Sequence, residues 1–288
     1  MTTRTDLIAC IHVMKTGGQT MCDILRQSFP GRHCDLQVKG VATAEDLRFA
    51  RRFYPRLRSI AGHGVVPLSN LAEACESIRY FAFLRDPVER CVSHYQYRRN
   101  KDETSDFEPW LAKFANYQTR FLCRTHVAED PWTIEPDADR AIEVVERRIG
   151  FVGLQERFDE SLVLLRRWVA DPDLDIEYRA RNVAPSSAVR RQLLDDPRIV
   201  ALIQSHHEAD EKLHRHVRDE IYRRQAERYG PTLADDVAAL RARLPAPQRR
   251  LMARALAGVR RGLLYKPLAR SRPAGRGFQE VSEPFRSP

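Results

Sequence analysis

The stretch Leu7-Ile8-Ala9-Cys10-Ile11-His12-Val13-Met14-Lys15-Thr16-Gly17-Gly18-Gln19-Thr20-Met21-Cys22-Asp23-Ile24-Leu25-Arg26 decides the fold. Residues 7–13 form a short, largely apolar run of strand rather than helix length. Lys15-Thr16-Gly17-Gly18 follows at once as a turn, and then Met21, Ile24, Leu25 and Ser28 recur at helical spacing. The reading is strand, glycine turn, helix. Two glycines let the backbone turn tightly, so that several N–H groups point at an anion. The helix N-terminus adds its dipole, Lys15 a charge and Thr20 a hydroxyl.

A second stretch has a related build. Ile78-Arg79-Tyr80-Phe81-Ala82-Phe83-Leu84 is strand-like and ends at Arg85-Asp86-Pro87, an N-cap followed by Pro at the first helical position. The helix that starts there carries Val88, Cys91, Val92 and Tyr95 on one face. Ser93 stands eight residues after Arg85, two turns into the helix, and an Arg and a Ser so arranged can clasp a second phosphate. Each half is weak alone. Lys15 to Gly18 by itself is more often a plain turn, and Arg85-Asp86-Pro87 by itself is a capped helix start.

Working outward, Ala44–Arg52 reads as a helix and Ser59–Gly64 as a short strand running into a glycine turn. Later segments are mostly helical, at about 107–123, 137–148, 156–170 and 195–228, with Phe151–Leu154 a further strand. Strands separated by helices predict an α/β fold: a P-loop-like central parallel sheet flanked by helices, with a helical C-terminal part. Ligands then gather at the carboxyl ends of the strands. The nucleoside-triphosphatase pattern G-x-x-x-x-G-K-[ST] is absent, because Lys15 precedes its glycines. No clear apolar strand ends in an Asp for magnesium.

The 288 residues are 43% hydrophobic and 30% charged, as for a globular protein with a sizeable core, and no run of 18 apolar residues spans a membrane. The N-terminus lacks the basic-then-apolar build of a secretory signal, so a cytoplasmic location is expected. Six cysteines without a CxxC pair read as reduced, mostly buried thiols. The net charge of +9 favours an anionic partner, but ten basic residues against two acids in 245–288 leave +1 for residues 1–244. The body is therefore no nucleic-acid grip. The expected division is a domain over 1–244 and a basic, partly amphipathic and partly disordered tail over 245–288. Within 247–268, Met252, Leu256, Val259 and Leu263 recur at helical spacing with arginines largely elsewhere. Such a helix either lies on an anionic membrane surface, at the inner membrane here, or packs on its own domain or a second subunit.

Five ordered motifs carry a resemblance. His12-Val13-Met14-Lys15-Thr16-Gly17-Gly18-Gln19-Thr20 resembles the "HIPKTGGTS/T" loop of sulfotransferases related to the heparan sulfate O-sulfotransferases. Phe83 to Tyr95 resembles their "FLRDPVxRxxSxY" motif. Ala61-Gly62-His63-Gly64 sits where that family has its "GH" turn, Asn116 to Leu122 resembles "NxQTRxL", and Val152 to Ser161 resembles "xGLxERFDES". The likeness spans about residues 6–230 and looks like a soluble bacterial-type member. It implies transfer of a sulfuryl group from 3′-phosphoadenosine 5′-phosphosulfate to a hydroxyl, without a metal, leaving 3′,5′-diphosphoadenosine. Lys15, Thr16, Gly17, Gly18, Gln19 and Thr20 then hold the 5′-phosphosulfate, and Arg85 and Ser93 the 3′-phosphate. Met14 and Gln19 depart from the family pattern, Gln19 by lacking a hydroxyl.

Lys15 is placed to stabilise charge growing on the leaving phosphate, and His63 is the candidate base for the acceptor hydroxyl. The bland alternative for His63 is a turn histidine bonded to its own loop. His12 is as readily a buried structural histidine as a catalytic one, and His206 and His207 read as surface. Gln118 and Arg120 are assigned to acceptor or cofactor contact, with a solvated helix face the even alternative. Asn182 begins a polar loop assigned to closing over the adenosine. The acceptor expected is a saccharide or glycolipid. Two competing readings remain: a magnesium-dependent nucleotide phosphotransferase, and a non-enzymatic membrane-surface binder acting through the basic tail.

Overall fold

The computed structural model describes residues 6–38, 40–101, 106–125, 130–179, 188–245, 255 and 258–270. Strand β1 (Leu7–Ile11) is buried at every position, as a strand must be when neighbours flank it and helices cover its sheet. It pairs in parallel with β3 (Ser59–Gly62) on one side and β4 (Ile78–Leu84) on the other. Strand β2 (His33–Asp35) lies outside β3, and β5 (Ile149–Leu154) outside β4. The order β2-β3-β1-β4-β5, all parallel, is the α/β sheet that the sequence predicts. From β1 the chain passes through helix α1 (Gly18–Ser28) to β2 and β3, whereas β4 leads to β5 on the other side. Strands β1 and β4 therefore form the switch point, and a crevice opens at their carboxyl ends.

Helix α2 (Ala44–Phe53) starts with a capping box in which the Thr43 hydroxyl accepts from the Asp46 N–H while the Asp46 carboxylate accepts from the Thr43 N–H. Such a cap is worth ~1 kcal/mol. Helix α3 (Pro87–Arg99) buries Val88, Cys91, Val92 and Tyr95 against Trp110, Leu111, Phe114 and Ile203, which is the face its period predicts. The six cysteines are free thiols, five of them buried.

Three elements differ from the sequence reading. β2 went unread, because a three-residue strand reading His-Cys-Asp has no apolar run to betray it. The expected helix over 107–123 is two, α4 (Phe107–Phe114) and α5 (Tyr117–Leu122), separated by Asn116 in the left-handed region at φ 52°. The expected helix over 195–228 is also broken. After α6 (Ala138–Arg147), α7 (Phe158–Val169) and α8 (Ala188–Asp195), it comprises α9 (Pro197–His206), α10 (Glu208–His216), a wide turn over Val217–Tyr222 and α11 (Arg223–Tyr229). His207 sits at the break and is fully buried, with Nδ1 on the Ile203 carbonyl at 2.9 Å, so it is a core residue and not a surface one.

The described part of the tail is helical over Arg260–Tyr265 and Lys266–Arg270. Tyr265 and Ala269 are buried, and the Tyr265 ring lies 5.9 Å from Phe53 and 5.8 Å from Tyr54. Arg261 forms an ion pair with Asp35 at 3.2 Å. This segment packs on the domain. Its outer side carries Val259, Leu263, Leu264 and Leu268, the exposed large hydrophobics among the described residues. Met252 and Leu256 of the expected stripe lie outside the described residues.

Candidate active site

The first corner is built by two glycines with different tasks. Gly17 stands at φ 87°, in the left-handed region that favours glycine, and begins α1. Gly18 has an ordinary φ, but any side chain there would collide with the His12 ring. The first turn of α1 has no side-chain cap bond and no acidic residue of its own, so no carboxylate of that turn competes for its dipole. Lys15 is itself left-handed at φ 69°, a strained conformation for a residue with a Cβ. Thr16 is buried and its hydroxyl donates to the Val13 carbonyl at 2.9 Å. That side chain shapes the loop, and its contribution to an anion falls to its backbone.

Lys15 Nζ lies 4.4 Å from the centre of the Tyr97 ring, with Lys101 Nζ on the same ring at 4.6 Å. Burial, then the positive charges of Arg85, Arg90 and Lys101, lower the Lys15 pKa to about 8. A lysine pushed down by neighbouring cations marks a place where positive charge is gathered in excess.

The second corner touches the first. Arg85 Nη1 donates to the Lys15 carbonyl at 3.4 Å, so β1 and β4 bring the two predicted phosphate groups together. Arg85 Nη2 pairs with Glu89 at 3.0 Å. Burial pulls Arg85 below its ordinary value and Glu89 opposes that. Ser93 is half-buried on α3, two turns after Arg85.

Gln118 does not face a ligand. It is fully buried, its carbonyl oxygen accepts the Arg85 N–H at 2.9 Å, and its amide donates to the Arg85 carbonyl at 2.8 Å. It positions Arg85. Asp210 of α10 in turn fixes Gln118, accepting from the Gln118 N–H at 3.2 Å and from the Thr119 N–H and hydroxyl at 2.8 and 2.7 Å. Arg120 donates through Nη1 to the carbonyls of Trp132, at 3.2 Å, and Ile134. The expected ligand contacts of Gln118 and Arg120 thus give way to contacts within the protein. Asn182 lies outside the described residues.

His63 Nδ1 lies 2.8 Å from the His12 carbonyl, and the two rings stack at 4.2 Å. A carbonyl only accepts, so Nδ1 carries the hydrogen and Nε2 the lone pair. Burial, with help from His12, keeps the His63 pKa well below 6.5 and the ring neutral; the hydrogen bond to His12 opposes this, and Arg124 adds to it. Its backbone carbonyl also accepts from buried Arg124. The Nδ1 partner of His63 is therefore His12, the residue that follows β1. His12 is buried, lowered to about 4 by that burial, with Nδ1 3.9 Å from Cys22 Sγ. Among the described residues, no group of three or more His, Cys, Asp or Glu side chains is arranged to hold a metal ion.

Three residues escaped the sequence reading. Tyr97 completes a period-four stripe of α3 with Glu89 and Ser93, which Arg85 meets from just before the helix. Extending the helical count by one turn finds it. Arg90 is fully buried with its guanidinium 5.3 Å from the Tyr117 ring centre, and Arg190 reaches Glu89 from α8. No local pattern points to these two.

An open parallel sheet with a basic, glycine-built corner at its switch point is the build of an α/β protein that takes anionic ligands. A family model of galactose-3-O-sulfotransferases matches residues 7–261, and the chain belongs to that family. It is therefore a sulfuryl-transfer enzyme, as the sequence motifs imply. No curated protein matches the chain. A solved sulfotransferase structure from Alicyclobacillus acidocaldarius is similar at 15% identity and a TM-score of 0.34, over 68% of this chain and 94% of that one.

Proposed function

We propose that the protein transfers a sulfuryl group from 3′-phosphoadenosine 5′-phosphosulfate to a hydroxyl of a galactose-bearing saccharide or glycolipid. The observation that carries the donor is the contact of Arg85 with the Lys15 carbonyl, which joins two anion-binding corners at one crevice. The galactosyl acceptor rests on the family's name.

The residues present fit a doubly phosphorylated nucleotide. Lys15, the backbone of residues 16–20 and the Thr20 hydroxyl would hold the 5′-phosphosulfate, and Arg85 with Ser93 the 3′-phosphate. When bound, the donor supplies a sulfuryl group on an anhydride whose leaving phosphate gains charge as the bond breaks. Lys15 is the group that stabilises that charge. His63 Nε2 accepts the proton of the acceptor hydroxyl, its tautomer fixed by the His12 carbonyl. A calorimetric titration tests the donor. Binding of 3′,5′-diphosphoadenosine without metal, at least about tenfold tighter than ATP and lost in Lys15→Ala, is expected. ATP binding equally well contradicts it.

A role for the tail at an anionic membrane surface draws support from Val259, Leu263, Leu264 and Leu268, exposed beside Arg260. No helix among the described residues is long and apolar enough to cross a membrane. Sedimentation with anionic but not neutral vesicles, lost when these four become Ser, tests it.

A further inference from the structure

Glu89 and Ser93 fall one turn apart on the same stripe of α3, and Arg85, just before the N-cap Asp86, reaches that stripe through its bond to Glu89 at 3.0 Å. A carboxylate thus stands between the two side chains assigned to the 3′-phosphate. Left alone, it would repel a phosphate. It is not alone. Glu89 Oε2 accepts from Arg85 Nη2 at 3.0 Å, and both Glu89 oxygens accept from Arg190 Nη2, at 2.8 and 2.7 Å. Arg190 comes from α8, 101 residues further along the chain.

We infer that Arg190 is a specificity-determining residue of the donor site, balancing the negative charge of the Glu89 carboxylate so that Arg85 can turn to the 3′-phosphate; this rests on the donor reading above. The formal charges make the case. Two guanidiniums and one carboxylate sum to one positive charge, whereas Arg85 and Glu89 without Arg190 sum to none. The distances agree: Glu89 accepts two short bonds from Arg190, at 2.8 and 2.7 Å, and one longer bond from Arg85, at 3.0 Å. When a phosphate draws Arg85 away, Glu89 keeps a partner. The side chains of Glu89 and Arg190 are 33% and 38% exposed, so the group borders solvent, where a ligand can reach it. Arg85, at 15%, is the more enclosed member.

Glu89 is also useful before a ligand binds. It prearranges the Arg85 side chain by an i,i+4 bond, reducing the ordering that a ligand would otherwise have to impose. Arg190 then offsets the electrostatic penalty of having a carboxylate there.

The test is discrimination between 3′,5′-diphosphoadenosine and 5′-AMP, two nucleotides that differ by the 3′-phosphate. Calorimetry reads the ratio of their dissociation constants in wild type, Arg190→Ala, Glu89→Gln and the double variant. Arg190→Ala should lower the ratio about tenfold or more while leaving 5′-AMP affinity within about twofold. The double variant restores the wild-type formal charge and should return the ratio to within about threefold of wild type. A merely structural Arg190 would weaken both nucleotides together and would not be rescued by Glu89→Gln. A wild-type ratio with an unchanged value in Arg190→Ala overturns the inference alone. A wild-type protein that fails to distinguish the two nucleotides overturns the donor reading and the inference with it.

Discussion

Gln118 grips the backbone of Arg85 at both of its hydrogen-bonding groups, accepting its N–H at 2.9 Å and donating to its carbonyl at 2.8 Å. Arg85 is the last turn of chain between β4 and α3, so this grip sets where the guanidinium starts. Asp210 holds Gln118 from α10, and the chain of bonds Asp210, Gln118, Arg85 links that helix to the carboxyl end of β4.

Gln118→Ala should therefore cost about 2 kcal/mol of stability, because it leaves buried backbone groups of Arg85 without partners. It should also weaken 3′,5′-diphosphoadenosine binding while leaving the Lys15 loop intact. Thermal unfolding and calorimetry check both parts. Full stability with unchanged affinity would sink the positioning role.

The lowered Lys15 pKa fixes a direction in pH. Below about 8 the ammonium is present and attracts an anion, whereas above it the charge is lost. Nucleotide affinity should be flat near neutrality and fall as pH rises through 8, by at most about tenfold per pH unit. Anion binding should draw a proton onto Lys15 near that pH, seen as buffer-dependent calorimetric heats. Lys15→Arg should keep its charge and remove the dependence. A flat wild-type profile to pH 9 contradicts this account.

Gly18→Ala should drive the His12 ring off its stack with His63, at about 1–3 kcal/mol of overpacking. The same substitution in a His12→Ala background should cost much less, because the obstructing ring is gone. Chemical denaturation of the four proteins reads the difference. Equal costs in both backgrounds would assign the penalty elsewhere.

His63→Ala should lower kcat by about 10²–10⁴-fold while 3′,5′-diphosphoadenosine affinity stays within about twofold. Since burial keeps the His63 pKa well below 6.5, the acidic limb of the wild-type pH profile should lie below the ordinary histidine range. Loss of nucleotide binding along with turnover would make His63 a structural residue.

Tyr265→Ala should cost about 3 kcal/mol, since it empties the ring contacts with Phe49, Phe53 and Tyr54. A melting temperature that does not move would mean that this segment is not seated on the domain in solution.

Much of the fold was legible because period and punctuation agreed. β1 read as a strand from its apolar run and α3 from Asp86-Pro87 and its buried face. The helix breaks at Asn116 and His207 were not legible, because Asn116 is held by partners distant in sequence and His207 by burial in the core. Asn116 pairs with the His206 carbonyl and the Asp210 N–H, and His207 is buried by packing. The same limit applied to the candidate site. Lys15, Arg85 and Ser93 lie in motifs, but Arg190 meets Glu89 across a hundred residues. Gln118 was assigned to the site by its motif, yet burial and the Arg85 backbone make it a support.

The central claim is sulfuryl transfer to a galactosyl hydroxyl, and radiolabelled 3′-phosphoadenosine 5′-phosphosulfate tests it most directly. The protein is incubated with that donor and a panel of galactose- and glucose-terminated saccharides and glycolipids. The account predicts label on the galactose-terminated acceptors without added metal, and none with Lys15→Ala. Transfer that persists in Lys15→Ala, or no transfer to any galactose-terminated acceptor while 3′,5′-diphosphoadenosine binds, would contradict it.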